Sequence, residues 1–325
     1  MDTFTTFAEN WFVLSLLVGV ALLIFGGNML VDGGITIARH LDISVLMIGL
    51  TIVAFSTSAP ELALNIAAVM NGNGELALGN IFGSNIANLG LVLGIGAIIC
   101  KLPVIGQVLK WEFPFLIFAT LIVSAITLFN SELTLASSFV FLFLFCIAMF
   151  NWYKQGKSGT SILAVESKEL SEGESRSAIA GCFLLLIGLA LLGIGGKLAE
   201  IGAVTVATKM GVSQLVIGVT IVAIATSLPE VVTTVIAARK GHPDLAVGNV
   251  VGSNLFNMLF VLPISLFVGT ITVPSDIWIY LSAMCAITLI AYICAFNKRV
   301  QPVEGGVLLS LYAAFLIALV IWKSS

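Results

Sequence analysis

Two glutamates stand inside stretches otherwise suited to a membrane interior, and each closes the same short string: Thr57-Ser58-Ala59-Pro60-Glu61 and Thr226-Ser227-Leu228-Pro229-Glu230. An ionisable group at bilayer depth costs at least about 2.5–3.5 kcal/mol on insertion scales, so a pair facing one interior is a functional candidate. No lysine or arginine lies at comparable depth to neutralise them. Their partner therefore comes from outside the chain, as a metal cation or as protons. Thr57, Ser58, Thr226 and Ser227 add hydroxyl oxygens within a turn of the acids. Pro60 and Pro229 lack an N–H and clash with the carbonyl four residues earlier, which predicts freed or bent carbonyls from Ala54 to Thr57 and from Ala223 to Thr226. Irregular backbone at membrane depth is tolerated where it lines a cavity. Carboxylate, carbonyl, hydroxyl and amide oxygens together suit a hard cation such as calcium, which takes six to eight oxygens.

A second string, GN-x-x-GSN-x-x-N, runs from Gly79 to Asn88 and again from Gly248 to Asn257. It puts Ser84 with Asn88, and Ser253 with Asn257, four apart and hence on one helix face. Gly79 with Gly83, and Gly248 with Gly252, have the small-xxx-small spacing of tight helix seams. The two strings belong to one duplicated unit: a shift of 169 positions superposes Thr51–Asn88 on Thr220–Asn257 without a gap, with 18 of 38 pairs identical. The same offset matches Gly26-Gly27 with Gly195-Gly196, Ser44 with Ser213 and Val104 with Val273. The paired glycines permit one helix to slide closely past others, or serve packing alone.

The elements that must position these residues follow from composition. With 59% hydrophobic and only 10% charged residues in 325, the chain is a polytopic membrane protein, and a net charge of -3 points to neither nucleic acid nor an acidic substrate. His40 and His242 are placed in loops and suggest no metal centre. Cys100, Cys146, Cys182, Cys285 and Cys294 have no regular spacing and read as small buried hydrophobes, with no disulfide frame. No basic n-region or cleavage site marks the first apolar run as a signal peptide. Helices of about 17–25 apolar residues cross the hydrocarbon layer, and ten are predicted, at 11–31, 44–70, 75–99, 114–130, 133–153, 178–200, 212–238, 244–269, 277–296 and 305–322. The hydrophilic stretch 154–177 divides an N-terminal five-helix repeat, 1–153, from a C-terminal one, 178–325. With both termini outside, eleven Lys and Arg face one side and three the other, which makes the 154–177 linker cytoplasmic. An odd number of helices per half sends the second copy into the membrane from the opposite side, as an inverted repeat.

At the TS-x-PE and GSN-x-x-N pairs the sequence resembles the sodium/calcium exchangers of the calcium/cation antiporter superfamily, in their prokaryotic form. The resemblance covers nearly all ten helices. It implies a ten-helix inverted-repeat fold with cation sites at the midplane between the second, third, seventh and eighth helices, the first and sixth acting as a sliding gate. It implies that Glu61 and Glu230 ligate calcium with the carbonyls of Thr57 and Thr226. It also implies that the Ala54 and Ala223 carbonyls, with the Ser58, Ser84, Ser227 and Ser253 hydroxyls, complete flanking sodium sites, Asn88 and Asn257 facing the middle one. Ser56 and Ala225 stand where the family often has glycine. Asn257 stands where some relatives, potassium-dependent exchangers among them, are acidic, which places potassium coupling in question.

The expected activity is antiport of Ca2+ against Na+ across the plasma membrane by alternating access, without enzyme chemistry, cofactor, nucleotide or obligate protein partner. The alternatives are a proton/calcium or potassium-dependent exchanger of the same fold, and a cation channel. An ATP-driven pump would need a nucleotide site, and no GxxxxGK[ST] loop is present.

Overall fold

The computed structural model describes residues 3–157, 177–211 and 223–324. In chain order the helices are α1 (Thr3–Asn10), α2 (Phe12–Leu41), α3 (Val45–Met70), α4 (Gly74–Ile99), α5 (Val108–Phe129), α6 (Leu135–Lys157), α7 (Ala178–Lys209), α8 (Ala223–Thr226), α9 (Leu228–Arg239), α10 (Pro243–Ser265), α11 (Trp278–Ala295) and α12 (Pro302–Ser324). Among the described residues nine helices are long and apolar enough to cross a membrane. The predicted span at 212–238 begins outside the described residues, and α8 and α9 are its described portion. Residues 158–176 of the predicted linker and Ser213 also lie outside.

Several predicted boundaries move. The first span does not stop at residue 31 but runs to Leu41, and the sixth runs to Lys209 rather than 200. Asp32 and Arg39 lower the hydropathy of the first extension, yet Gly33 and Gly34 there pack against neighbouring helices and keep it in the bundle. His40 is consequently in the last turn of α2, its Nδ1 2.9 Å from the Thr36 carbonyl oxygen, and not in a loop. His242 is indeed between helices, at the N-cap of α10; burial, with Arg39 and Lys240 nearby, lowers its pKa. The cysteines are not buried hydrophobes: Cys146 and Cys182 are exposed on outward faces and the other three are half-buried.

The duplication is written into the backbone. Gly72 and Gly241, one repeat apart, both have positive φ (71° and 82°) in the tight reversals before α4 and α10. A second left-handed position follows α2 at Asp42 (φ 52°) and α7 at Gly211 (φ 81°), again repeat equivalents. Glycine adopts this conformation without the Cβ penalty, and Asp is among the few residues that tolerate it. Two-residue strands also cross-link the halves: β1 (Leu102–Pro103) pairs with β4 (Arg299–Val300), and β2 (Glu132–Leu133) with β3 (Ile271–Thr272).

The equivalent helices α2 and α7 lie antiparallel along their length, so the repeats are inverted. Gly19 faces Gly195 and Ala199, Gly26 faces Gly188 and Leu192, and Gly33 faces Gly181 and Leu185. At Gly188 an added Cβ would sit 2.6 Å from the Leu30 nitrogen and 2.8 Å from the Gly26 carbonyl oxygen. The backbones themselves are in contact, a packing that only small residues permit. Of the predicted glycine pairs, Gly26 and Gly195 join α2 to α7, while Gly27 turns toward Val232 and Ile236 of α9.

Candidate ion-binding site

Helices α3, α4, α9 and α10, with the short α8, pack on one another and carry every predicted site residue except Ser227, which lies in the break between α8 and α9. α10 is the most enclosed of the membrane-length helices among the described residues, 94% of its apolar window being buried. Glu61 and Glu230 are 2% and 0% exposed. They lie close enough to repel one another, and Thr57 stands beside Glu230. Ala54, Thr57, Ser58, Ser84, Asn88, Ser227, Ser253 and Asn257 are also buried, whereas Thr226 is half-buried at the end of α8. Ala223 is the first residue of α8.

The irregular backbone is not quite where the prolines predict. α3 passes Pro60 without a break, and its distortion is a π-turn one stage earlier, Gly49–Val53, ending where Ala54 begins. In the second repeat the helix does break at Ser227, with Pro229 in the first turn of α9. Two further π-turns open at equivalent points, Asn88–Val92 and Asn257–Val261, each beginning on the asparagine that ends the GSN-x-x-N string. Such turns concentrate at functional sites because the wider ring loosens the regular hydrogen-bond ladder.

The hydrogen-bonding capacity of these side chains is largely unspent. All four carboxylate oxygens of Glu61 and Glu230, the hydroxyls of Ser58, Ser84 and Ser227, and both side-chain amide atoms of Asn88 and Asn257 are buried with no protein partner. An unpaired buried polar group costs about 1–3 kcal/mol and a charged one more, so this concentration of them marks a site built to receive something that satisfies oxygens. Neither glutamate is in an ion pair among the described residues. The donor set, two carboxylates surrounded by neutral oxygens, fits a divalent or several monovalent hard cations. No histidine or cysteine joins it, and among the described residues no cluster of three His, Cys, Asp or Glu exists elsewhere.

Polar residues of these helices that were not predicted as site residues are also drawn into the network, Asn85, Asn249 and Asn254 from within the second string and Asn65 and Thr234 from outside both. The Thr57 hydroxyl is 3.2 Å from each of three atoms: the Ala54 carbonyl oxygen, Asn249 Oδ1 and Ser253 Oγ. Asn249 Nδ2 in turn donates to Thr234 Oγ1 at 3.1 Å. Asn65 donates to the Glu61 carbonyl oxygen at 2.8 Å, and Asn85 of the GSN string donates to the backbone oxygen of its repeat equivalent, Asn254, at 3.4 Å. Asn80 and Asn249 are among the residues identical in both repeats, a signal that could have flagged them; Asn65 and Thr234 are equivalent positions of different type and left none. Gly248 and Gly252 form the expected seam, against Leu46, Leu50 and Ala54 of α3. A Cβ added at Gly79 or Gly83 would meet no atom of a neighbouring helix within 4 Å, so these two form no such seam among the described residues.

A buried set of oxygen donors held between two inverted helical repeats is the architecture of an ion-coupled membrane transporter. The chain belongs to the sodium/calcium exchanger protein family, whose model matches residues 11–154 and 180–321. It is 38% identical to CaxA of Alkalimonas amylolytica over 92% of this chain and 95% of that protein. It is 31% identical to the sodium/calcium exchanger MaX1 of Methanosarcina acetivorans over 94% of this chain and 97% of the other. Among solved structures it is similar to the sodium-calcium exchanger NCX_Mj soaked with 10 mM Na+ and no Ca2+, with a TM-score of 0.80, 28% identity and coverage of 94% of this chain and 98% of that one. The same exchanger soaked with 2.5 mM Na+ and 0.1 mM Ca2+ matches equally, at a TM-score of 0.80.

Proposed function

We propose that this protein exchanges Ca2+ for Na+ across the plasma membrane by alternating access, with Glu61 and Glu230 as the carboxylates that meet calcium. The observation that carries the reading is the pair of buried, unpaired glutamates ringed by unpaired hydroxyl and amide oxygens, in a chain of this family. Two carboxylates balance one divalent ion. The Thr57 and Thr226 carbonyls complete its shell, and Ala54, Ala223, Ser58, Ser84, Ser227 and Ser253 supply flanking sodium ions, with Asn88 and Asn257 toward the centre. Three sodium ions moving against one calcium carry one net charge, worth about 2.3 kcal/mol per 100 mV. The two five-helix repeats, 1–153 and 178–325, supply symmetry-related halves of one site.

Calcium uptake into proteoliposomes, with sodium, potassium or proton gradients imposed singly, tests this. An outward sodium gradient drives uptake; drive by protons alone would assign a proton exchanger, and uptake with no counter-ion a channel.

The orientation places both termini outside and the α6–α7 connection in the cytoplasm. A cysteine replacing His242 is then labelled by a membrane-impermeant reagent from the cytoplasmic side only, and one replacing Asn73 from outside only. Labelling of both from one side removes this topology.

A further inference from the structure

Asn80 and Asn249 are identical repeat equivalents, yet the two are in different states. Asn249 is fully buried, and its amide spans α3 and α9, meeting Thr57 Oγ1 at 3.2 Å and donating to Thr234 Oγ1 at 3.1 Å. Carried into the first repeat by the offset of 169, the second of these bonds would run from Asn80 Nδ2 to Asn65, the equivalent of Thr234. There it is not made: Asn80 Nδ2 and Asn65 Oδ1 are each buried without a partner. One bond is closed in one repeat and its counterpart is open in the other. A second contact distinguishes the same side of the molecule. Just past α9, Lys240 pairs with Asp32 of α2 at 2.5 Å, and the equivalents of these residues are the uncharged Asn71 and Ile201.

We propose that Asn249 and Asn80 are positioning residues whose amides clamp the site helices alternately: Asn249 onto Thr234 and Thr57 in the state described here, Asn80 onto Asn65 in the opposite state. Alternating access moves one repeat against the other around a fixed site, and in this clamp the bond present in one half and absent in the other is the one that changes hands during the cycle. The clamp acts on transport because Asn249 holds the hydroxyl of Thr57, whose carbonyl the site uses, while Asn65 is hydrogen-bonded to the backbone oxygen of Glu61. A polar amide suits the task because its unpaired form in one state is an incentive to form the bond in the other. The proposal rests on the alternating-access reading above.

The test uses purified full-length protein with its five native cysteines replaced and a single reporter cysteine at Ala237, which is buried on α9. Maleimide labelling then reports opening between α9 and α10. In the parent protein the rate differs between saturating sodium and saturating calcium; a rate indifferent to both ions overturns the alternating-access reading and the clamp with it. Given that response, Thr234→Val, which keeps the side-chain shape, speeds labelling about fivefold, the equilibrium equivalent of one neutral hydrogen bond. Asn80→Ala slows it by about the same factor, since it weakens the opposite state. A merely loosened protein cannot label more slowly, so the second variant keeps the test decisive even where the first folds poorly. Shifts in the same direction, or an unchanged rate in Asn80→Ala, overturn the clamp.

Discussion

Calcium exchange falls to background in Glu61→Gln and in Glu230→Gln, while both proteins remain inserted and folded. The side chains are isosteric, and each change replaces a buried carboxylate with a neutral amide, so it relieves like-charge repulsion between the pair and takes no hydrogen-bond partner from the surrounding protein. The ion loses far more. Unit charges at about 4 Å interact by about 4 kcal/mol at an effective dielectric of 20, so removing one of two charges from a divalent cation's shell weakens binding by at least about a hundredfold. Calcium-dependent thermal stabilisation disappears with it, because a ligand stabilises only to the extent that it binds the native state. The check is paired: radiotracer exchange in proteoliposomes, and melting of the detergent-solubilised protein with and without calcium. Normal exchange, or an undiminished calcium shift, in either variant removes the paired-acid site.

The second large effect concerns backbone contact. Gly188→Val destroys the close approach of α2 and α7, because its Cβ alone would sit 2.6 Å from a main-chain nitrogen and 2.8 Å from a main-chain oxygen, atoms that no rotamer change can move aside. Overpacking a tight contact costs about 1–3 kcal/mol even where neighbours can shift, and here it must push the paired helices away from each other along several turns. The yield of monodisperse protein drops severalfold, and the surviving fraction transports poorly. Gly193→Val, five residues along the same helix but with no neighbouring atom within 4 Å of its Cβ position, behaves as wild type in both respects. Equal yields and rates for the two variants would remove the claim that the seam depends on absent side chains.

The glycine seam also marks how far the sequence could be read. Gly26 and Gly195 announce themselves because they sit in matched doublets, but Gly19, Gly188 and Gly202 of the same seam are isolated glycines in apolar runs, and the doublet of Gly33 has Gly202-Ala203 as its counterpart. Only knowledge that the equivalent helices lie antiparallel turns a spacing of seven into an interface. The acids were legible for a sharper reason: a charge at membrane depth is too costly to be incidental. Backbone irregularity was harder. Proline predicts a break, yet α3 absorbs Pro60 within a continuous helix, and the π-turns at Gly49, Asn88 and Asn257 carry no compositional mark distinguishing them from ordinary helix. Equivalent positions filled by different residues, Asn65 and Thr234, were invisible to a comparison that counts identities. Helix ends are harder to read where Asp32 and Arg39 make the last turns of α2 look like a loop.

The enclosure of α10 bears on how the protein is made. This helix is almost wholly surrounded by other helices, and it carries Asn249, Ser253, Asn254 and Asn257 on its buried surface. During synthesis it leaves the ribosome before α11 and α12, which flank the finished core, so for a time those asparagines have only lipid, the insertion machinery or the earlier helices to face. Its apolar content suits insertion while its polar stripe favours protein over lipid, and the first-repeat helices α3 and α4, made before it, are neighbours that can already cover that stripe. The outward-facing α12, the last helix of the chain, is by contrast one whose side chains lipid itself can cover.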